Sequence, residues 1–184
     1  SQSYNIPYTN SLALSGSGNV NGSVYAAAGA KIYGGTDGTY GTNTFNNDLM
    51  LATGAADYLD LGASATGDND QIVVNGTLTA NGNSIHIKAP SSTGDLDTAD
   101  YVLITSANAI TGSFASAPVW DVAPVNAGHY SVVTSGNTVT LHYDAAVSGP
   151  IITSASATPS NLLRNGTARL SATVLPGAAN ISTV

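Results

Sequence analysis

Two pairs of aspartates are the side chains in this chain best suited to hold a hard cation. Asp68 and Asp70 flank an asparagine, and Asp95 and Asp97 flank a leucine. Ca²⁺ takes about six to eight oxygen ligands from carboxylates and carbonyls. Neither segment has the glycine and terminal glutamate of a twelve-residue calcium loop, and Asx turns account for both pairs. We therefore expect no cofactor, with Ca²⁺ as the alternative at these four residues.

The three histidines do not form a catalytic or metal-binding pattern. His86 and His142 each alternate with apolar residues, and His129 stands alone. None has a second histidine or a glutamate at the spacing of a zinc site. We expect His86 and His142 to be solvated residues on the polar faces of strands.

An enzyme acting on polysaccharides is the catalytic alternative. Glycoside hydrolysis needs two carboxylates at a suitable separation, and a lyase needs a base beside acids. Lys31 and Lys88, with Asp60 or Asp70 as companions, are the available residues. Nothing in their spacing singles them out, so we expect no catalytic residue and no enzymatic activity.

Three tyrosines, Tyr25, Tyr33 and Tyr40, lie close together in the sequence. Exposed aromatic rings can stack on sugars, so these residues are the candidates for binding a glycan. Packing in the core or at corners is the competing interpretation. A carbohydrate-binding module of a larger secreted protein is therefore the alternative function.

Composition limits both the fold and the partners. The 184 residues allow one domain, or one domain and a fragment of another. About 42% are apolar, but only 8% are charged, against roughly 25% in typical domains. All eleven acids are aspartate, and straight-chain helix formers are scarce. We expect an all-β fold.

The charge excludes one class of partner and the cysteine count bears on location. The net charge is −7, and the four cations are scattered, so a phosphate backbone is a poor ligand. No run of 18 apolar residues occurs, so we expect no membrane insertion. The first residues lack the features of a signal peptide, so we expect a chain that is cytoplasmic or already processed. The absence of cysteine and the low charge favour an extracellular or bacterial cell-surface location.

Short alternating strands separated by turn residues dominate residues 46–143. Strands such as 71–74 and 84–88 are followed or preceded by Asn-Gly pairs at Asn75 and Asn81. Three strands begin in a similar way after Asn-Gly, which is a weak internal repeat. This rhythm favours a β-solenoid with about six coils of roughly 20–25 residues, stacked about 4.8 Å apart. An antiparallel β-sandwich is the alternative.

Residues 46–143 resemble bacterial autotransporter-associated β-strand repeat proteins, which are relatives of autotransporter passenger β-helices. The resemblance rests on the order of several segments, including the motif Tyr101-Val-Leu-Ile-Thr105; they are 47–61, 67–79, 99–105, 110–114 and 130–141. It implies a right-handed parallel β-helix on a large extracellular protein. It also implies a scaffold without enzymatic activity.

The pattern changes after residue 143. Residues 144–150 read as a linker, and residues 151–158 and 167–174 alternate like two strands. These strands are similar to the first hairpin of a bacterial Ig-like domain, which needs about seven strands. Either the chain is part of a longer one, or the strands pair with another chain or domain. The apolar residues available for such pairing are Ile151, Ile152, Leu170 and Val174.

These observations predict three regions: a β-solenoid with an irregular lead-in (1–143), a linker (144–150) and an incomplete Ig-like strand pair (151–184). The predicted function is an extracellular structural or adhesive protein of a bacterial surface, sheath or filament. Its expected partners are copies of itself or neighbouring domains, with a polysaccharide as an additional candidate.

Overall fold

The computed structural model describes residues 12–145 and the strands at residues 4–6, 152–158 and 169–174. The chain divides into two compact units, Ser1–Asp144 and Ala145–Val184. The described residues consist of strands, turns and one short 3-10 helix, Ala127–His129. They include no helix that is long and apolar enough to cross a bilayer.

Three sheets form the first unit, and most of their strands are parallel. Sheet A contains β1 (Tyr4–Ile6), β4 (Val24–Ala26), β7 (Leu49–Leu51) and β10 (Leu78–Thr79), in that order. Sheet B contains β2 (Ala13–Leu14), β5 (Lys31–Tyr33), β8 (Ala56–Asp60), β11 (Ser84–Lys88) and β13 (Val119–Val122). Sheet C contains β3 (Gly18–Val20), β6 (Thr42–Phe45), β9 (Gln71–Val74) and β12 (Tyr101–Ser106), followed by β15 (Thr138–Tyr143) and β14 (Tyr130–Ser135).

The chain visits the three sheets in rotation, which makes a parallel β-solenoid of about three turns between residues 18 and 106. The predicted fold is therefore confirmed and the sandwich is excluded, while the right-handedness stays a prediction. The expected number of six coils is wrong, and the expected length of 20–25 residues holds only for the earlier turns. Val24 pairs with Leu49 one turn later, but Ile72 pairs with Ile104, 32 residues on. The turns lengthen because the connections between sheets B and C grow longer along the chain.

Inward-facing side chains of the three sheets form one continuous core. Strands such as β4 and β11 alternate buried and more exposed positions, because successive residues point to opposite faces. Each fully buried Leu or Ile contributes about 1.5–3 kcal/mol. The largest buried side chains are Tyr101, Phe45, Leu49, Leu51, Leu59, Leu61, Ile72, Leu78, Ile85, Ile87, Leu96 and Leu103.

Asparagines at the corner between sheets C and A bond successive turns to one another. The Nδ2 of Asn46 donates to Oδ1 of Asn21 at 2.6 Å, and the Nδ2 of Asn75 donates to Oδ1 of Asn46 at 3.0 Å. At the same corner a Cβ on Gly76 would lie 2.6 Å from the backbone carbon of Asn47. The Asn-Gly pair at Asn75 therefore marks a tight corner at which side chains stack from turn to turn.

An antiparallel hairpin replaces the next coil at the C-terminal end of the solenoid. β14 pairs antiparallel with β15, and β15 pairs antiparallel with β12. Tyr130 packs edge-on against Tyr101, Trp120 and Tyr143, with ring centroids 5.3–6.3 Å apart. Aromatic pairs at these separations are favourable. The hairpin and its rings therefore cover this end of the core.

The described part of the second unit is a pair of antiparallel strands. They are β16 (Ile152–Thr158) and β17 (Arg169–Val174), and Ile152 pairs with Val174 while Ala157 pairs with Leu170. Ile151 lies outside the described residues, and so do the side chains of Ile152, Leu170 and Val174. The two strands thus pair with each other within the chain.

One inward position of the core carries an acid. Asp57 on β8 is fully buried, and its strand neighbours on the adjacent turns are Ile32 and Ile85. Neither of its carboxylate oxygens has a hydrogen-bond partner. Burial raises the pKa of Asp57 to about 8. A buried carboxyl without a partner is costly in its charged form.

Candidate functional site

The outer face of sheet B carries a stack of three rings from successive turns. Strand register places Tyr33 beside Tyr58 and Tyr58 beside His86. Their ring centroids are 4.9 Å and 4.3 Å apart, with interplanar angles of 22° and 19°. These separations match the spacing of neighbouring strands, about 4.8 Å. Aromatic residues at one position of three consecutive coils must therefore stack.

Charged side chains surround this stack. The ammonium of Lys31 lies 5.1 Å from the centroid of the Tyr58 ring, within range of a cation–π contact. Nζ of Lys88 lies 2.6 Å from Oδ1 of Asp37. Both lysines of the chain therefore lie on this face.

His86 at the end of the stack is paired with an acid. Its Nδ1 lies 3.0 Å from Oδ1 of Asp121 on β13. The histidine side chain is 22% exposed, because the ring packs on Tyr58 and is covered by the neighbouring strand. His86 lies on the outer face of β11, as expected, but its ring is only partly solvated. His142 is more exposed and pairs with Asp100 at 2.9 Å.

The loop between β5 and β6 forms one wall of the site. Gly38 N donates to Oδ2 of Asp60, and Gly41 N donates to Oδ1 of Asp70 at 2.8 Å. The loop packs so closely that a Cβ on Gly35 would overlap Oδ1 of Asp70. The carboxylates of Asp60 and Asp70 thus hold this loop in place, and the loop positions Asp37 next to Lys88.

Asp60 and Asp70 also contact each other. Asp60 N donates to Oδ2 of Asp70 at 3.0 Å. Burial raises the pKa of Asp70 to about 6, although the backbone donors at Asp60 and Gly41 lower it. Asp60 is only 8% exposed, although strand alternation places it on the same outer face as Tyr58. The loop covers it in a way that strand alternation alone does not reveal.

Two adjoining cavities lie between this loop and β13, and we call them together the sheet B groove. The larger, of about 290 Å³, is bordered by the ring stack, both lysines, Asp37 and Asp121. The smaller, of about 220 Å³, is bordered by Gly38, Tyr40 and Pro90. Asp60 and Lys88 border both cavities. They therefore lie at the centre of the groove.

The groove offers hydrogen bonds more readily than proton transfer. The hydrogen bond to Asp37 raises the pKa of Lys88 above its ordinary value. Lys88 is therefore a protonated donor at neutral pH, whereas a lyase base must be able to accept a proton. Among residues 12–145, no three acidic or histidine side chains are grouped so that they could hold a metal ion.

The four aspartates considered as the alternative Ca²⁺ ligands lie in different environments. Asp70 is buried and bonded to backbone N–H groups, whereas Asp68 is exposed. Asp95 and Asp97 are exposed, and Oδ2 of Asp97 accepts a long hydrogen bond of 3.5 Å from Ser64. Asp70 therefore serves to position a loop.

The three candidate tyrosines are divided between two faces. Tyr25 lies on β4 in sheet A and is 41% exposed. Tyr33 belongs to the ring stack, and Tyr40 borders the smaller cavity. Tyr58 belongs to the site although it was not among the predicted residues. The signal was the spacing of residues 33, 58 and 86, which equals the length of successive turns.

No protein-family model matches the sequence, and no curated protein matches it. The parallel β-solenoid implied by the resemblance to autotransporter-associated repeats is present, and membership of that family stays a prediction. What the groove can bind therefore follows from its own side chains.

Proposed function

We propose that the Ser1–Asp144 unit is a structural module of an extracellular bacterial surface protein, of the kind that carries autotransporter-like β-helices. The observation that supports this most directly is the asparagine ladder, in which Asn21, Asn46 and Asn75 bond one turn to the next. Such contacts stabilise the solenoid along its axis. The module acts as a scaffold and is not itself a catalyst.

The low charge and the absence of cysteine also support this role. Only 8% of the residues are charged and none is cysteine, so the unit is stabilised by backbone ladders and a dry core. Such a structure needs neither disulfides nor reducing conditions. We propose that it is displayed on the cell surface or in a sheath or filament.

The second unit supplies the contact with the next subunit or domain. An isolated two-stranded sheet is marginally stable in water. Strand addition to a neighbouring sheet edge provides the missing hydrogen bonds. We therefore propose that β16 and β17 are completed by a neighbouring domain or by a second copy of the chain.

Comparison of the whole chain with the Ser1–Asp144 unit tests the assembly role. The unit has its own continuous core, so it is expected to fold alone. We expect the whole chain to form oligomers or filaments in light scattering and electron microscopy, and the shortened chain to stay monomeric. Equal assembly by both chains would contradict a role for the second unit.

Proline substitutions in β16 refine the test. Neighbouring residues of a strand direct their N–H groups to opposite edges. Ala155→Pro and Ser156→Pro, made as separate variants, therefore each remove a donor from a different edge of β16. We expect assembly to be prevented in the variant that loses the N–H at the edge facing away from β17, because proline cannot donate a hydrogen bond to an added strand. The solenoid unit itself should unfold at the same urea concentration in both variants.

A further inference from the structure

We propose that the sheet B groove binds an uncharged polysaccharide, whose chain lies across β5, β8 and β11. The first support is the arrangement of the groove across several turns. The rings of Tyr33, Tyr58 and His86 come from three successive turns, and the two cavities meet at Asp60 and Lys88. An elongated ligand fits such a site better than a compact one.

The chemistry of the walls matches a ligand rich in hydroxyl groups. Carboxylates accept hydrogen bonds and ammonium groups donate them. Oδ2 of Asp60 already accepts from Gly38 N, which leaves Oδ1 as an acceptor in the groove with Lys88 as a donor, and Asp37 and Asp121 add further acceptors. Each hydroxyl of a sugar both donates and accepts. The groove therefore offers complementary partners to adjacent hydroxyls.

The balance of charge in the groove disfavours an acidic ligand. Its charged residues are two lysines and three aspartates, with His86 paired to Asp121. Lys88 is already neutralised by Asp37, and the whole chain carries a net charge of −7. A uronate chain or a phosphate backbone would thus meet an excess of negative charge.

Other classes of ligand fit less well. The floor of the groove is the face of a sheet, whereas a peptide that adds as a strand needs a sheet edge. An apolar small molecule needs a mainly apolar pocket, whereas charged residues border both cavities. A neutral glycan is the class that satisfies both the shape and the polarity.

The ring stack determines how a sugar can contact the groove. Both faces of the Tyr58 ring are covered, by Tyr33 on one side and His86 on the other. A sugar therefore meets ring edges and hydroxyl groups, and the rings keep the floor rigid. This differs from binding by an open aromatic platform, where a ring face is free.

Binding of soluble oligosaccharides to the whole chain tests the proposal. Neutral cello-, manno- and chito-oligosaccharides and acidic oligogalacturonates are titrated by calorimetry. We expect at least one neutral series to bind, with a Kd that changes less than about twofold when salt rises tenfold, because no charge on the ligand is screened. Binding by oligogalacturonate alone would overturn the proposal, and so would binding by none of the probes.

Matched variants locate the site. We expect Asp60→Asn and Lys88→Gln each to weaken binding about tenfold, as for the loss of one hydrogen bond to a charged group. Asp68→Asn, at an exposed carboxylate outside the groove, should leave Kd unchanged. Urea unfolding of each variant verifies that the fold is intact, and Lys88 is exposed enough to be replaced without loss of the core.

A pair of tyrosine variants completes the test. Tyr33→Phe removes a hydroxyl from the groove, whereas Tyr25→Phe removes one from sheet A. We expect only the former to weaken binding. Equal loss in both, or loss in Asp68→Asn equal to that in Asp60→Asn, would place the glycan elsewhere and overturn the proposal.

Discussion

Replacing Asp57 by asparagine should stabilise the solenoid unit at neutral pH, because it removes an ionisable group from the core. The substitution keeps the size of the side chain and removes its charge. In the folded protein Asp57 lies fully buried between Ile32 and Ile85 and has no hydrogen-bond partner. In the unfolded chain its carboxyl is surrounded by water.

The size of the effect follows from the pKa of Asp57, which burial raises from 3.8 to about 8. Below pH 3.8 the carboxyl is protonated in both the folded and the unfolded state, so its ionisation does not lower the free energy of unfolding. Between pH 3.8 and about 8 only the unfolded state releases the proton, so stability falls by about 1.4 kcal/mol per pH unit. At pH 7 the loss is about 4 kcal/mol, and above pH 8 it grows no further.

Urea unfolding of the two proteins at several pH values measures this difference. Trp120 is the only tryptophan of the chain and lies in the solenoid unit, so its fluorescence reports on that unit. We expect Asp57→Asn and the wild type to be similar near pH 4 and to differ by about 4 kcal/mol at pH 7. Asp70 also titrates with a raised pKa, but it is common to both proteins and cancels in the comparison.

Two controls make the result decisive. Asp68→Asn replaces an exposed carboxylate and should change stability by less than about 0.5 kcal/mol. Asp57→Leu should stabilise more than Asp57→Asn, because the leucine adds buried apolar surface. A difference in stability between Asp57→Asn and the wild type that is the same at pH 4 and pH 7 would mean that the charge of Asp57 does not destabilise the core.

Three further substitutions test the corner and the core, each measured as the urea midpoint followed by Trp120 fluorescence. Gly76→Ala should cost about 1–3 kcal/mol, because its Cβ would lie 2.6 Å from backbone; Gly128→Ala, where a Cβ meets nothing within 4 Å, is the neutral control. Asn46→Ala should cost about 1 kcal/mol by breaking the ladder on both sides, and a cost no larger than that of the exposed neighbour in Asn47→Ala would argue against the ladder. Ile85→Ala should lower the free energy of unfolding by about 2–5 kcal/mol, because it leaves a cavity in the core. A decrease of less than about 1 kcal/mol would mean that the neighbouring side chains fill the cavity.

The architecture was predictable because alternation and turn residues act locally. Residues 71–74 and 84–88 alternate as the structure shows, and the Asn-Gly pairs mark corners. The number of turns was not predictable, because the residues in a turn include those of its loops, and the lengths of the loops differ from turn to turn. Residues 89–100, for example, separate β11 from β12 without forming a strand, and this lengthens that turn.

The site was less predictable than the fold because contacts between distant residues create it. Lys88 and Asp37 are 51 residues apart in the chain, and no local pattern joins them. The burial of Asp60 depends on a loop about 20 residues earlier, held through Gly38. The recurrence of rings at residues 33, 58 and 86 is present in the sequence, but it predicts stacking only when the length of a turn is known.

The hairpin of β14 and β15 restricts how proteins of this design can grow during evolution. β15 runs antiparallel to β12, so the chain leaves Tyr143 at the end of sheet C where β12 begins, whereas the coils of the solenoid leave sheet C at the other end to enter sheet A. A coil inserted between Val20 and Leu78, by contrast, meets the same parallel neighbours on both sides. Longer homologues should therefore gain their repeats upstream of the hairpin and keep it as the terminal element.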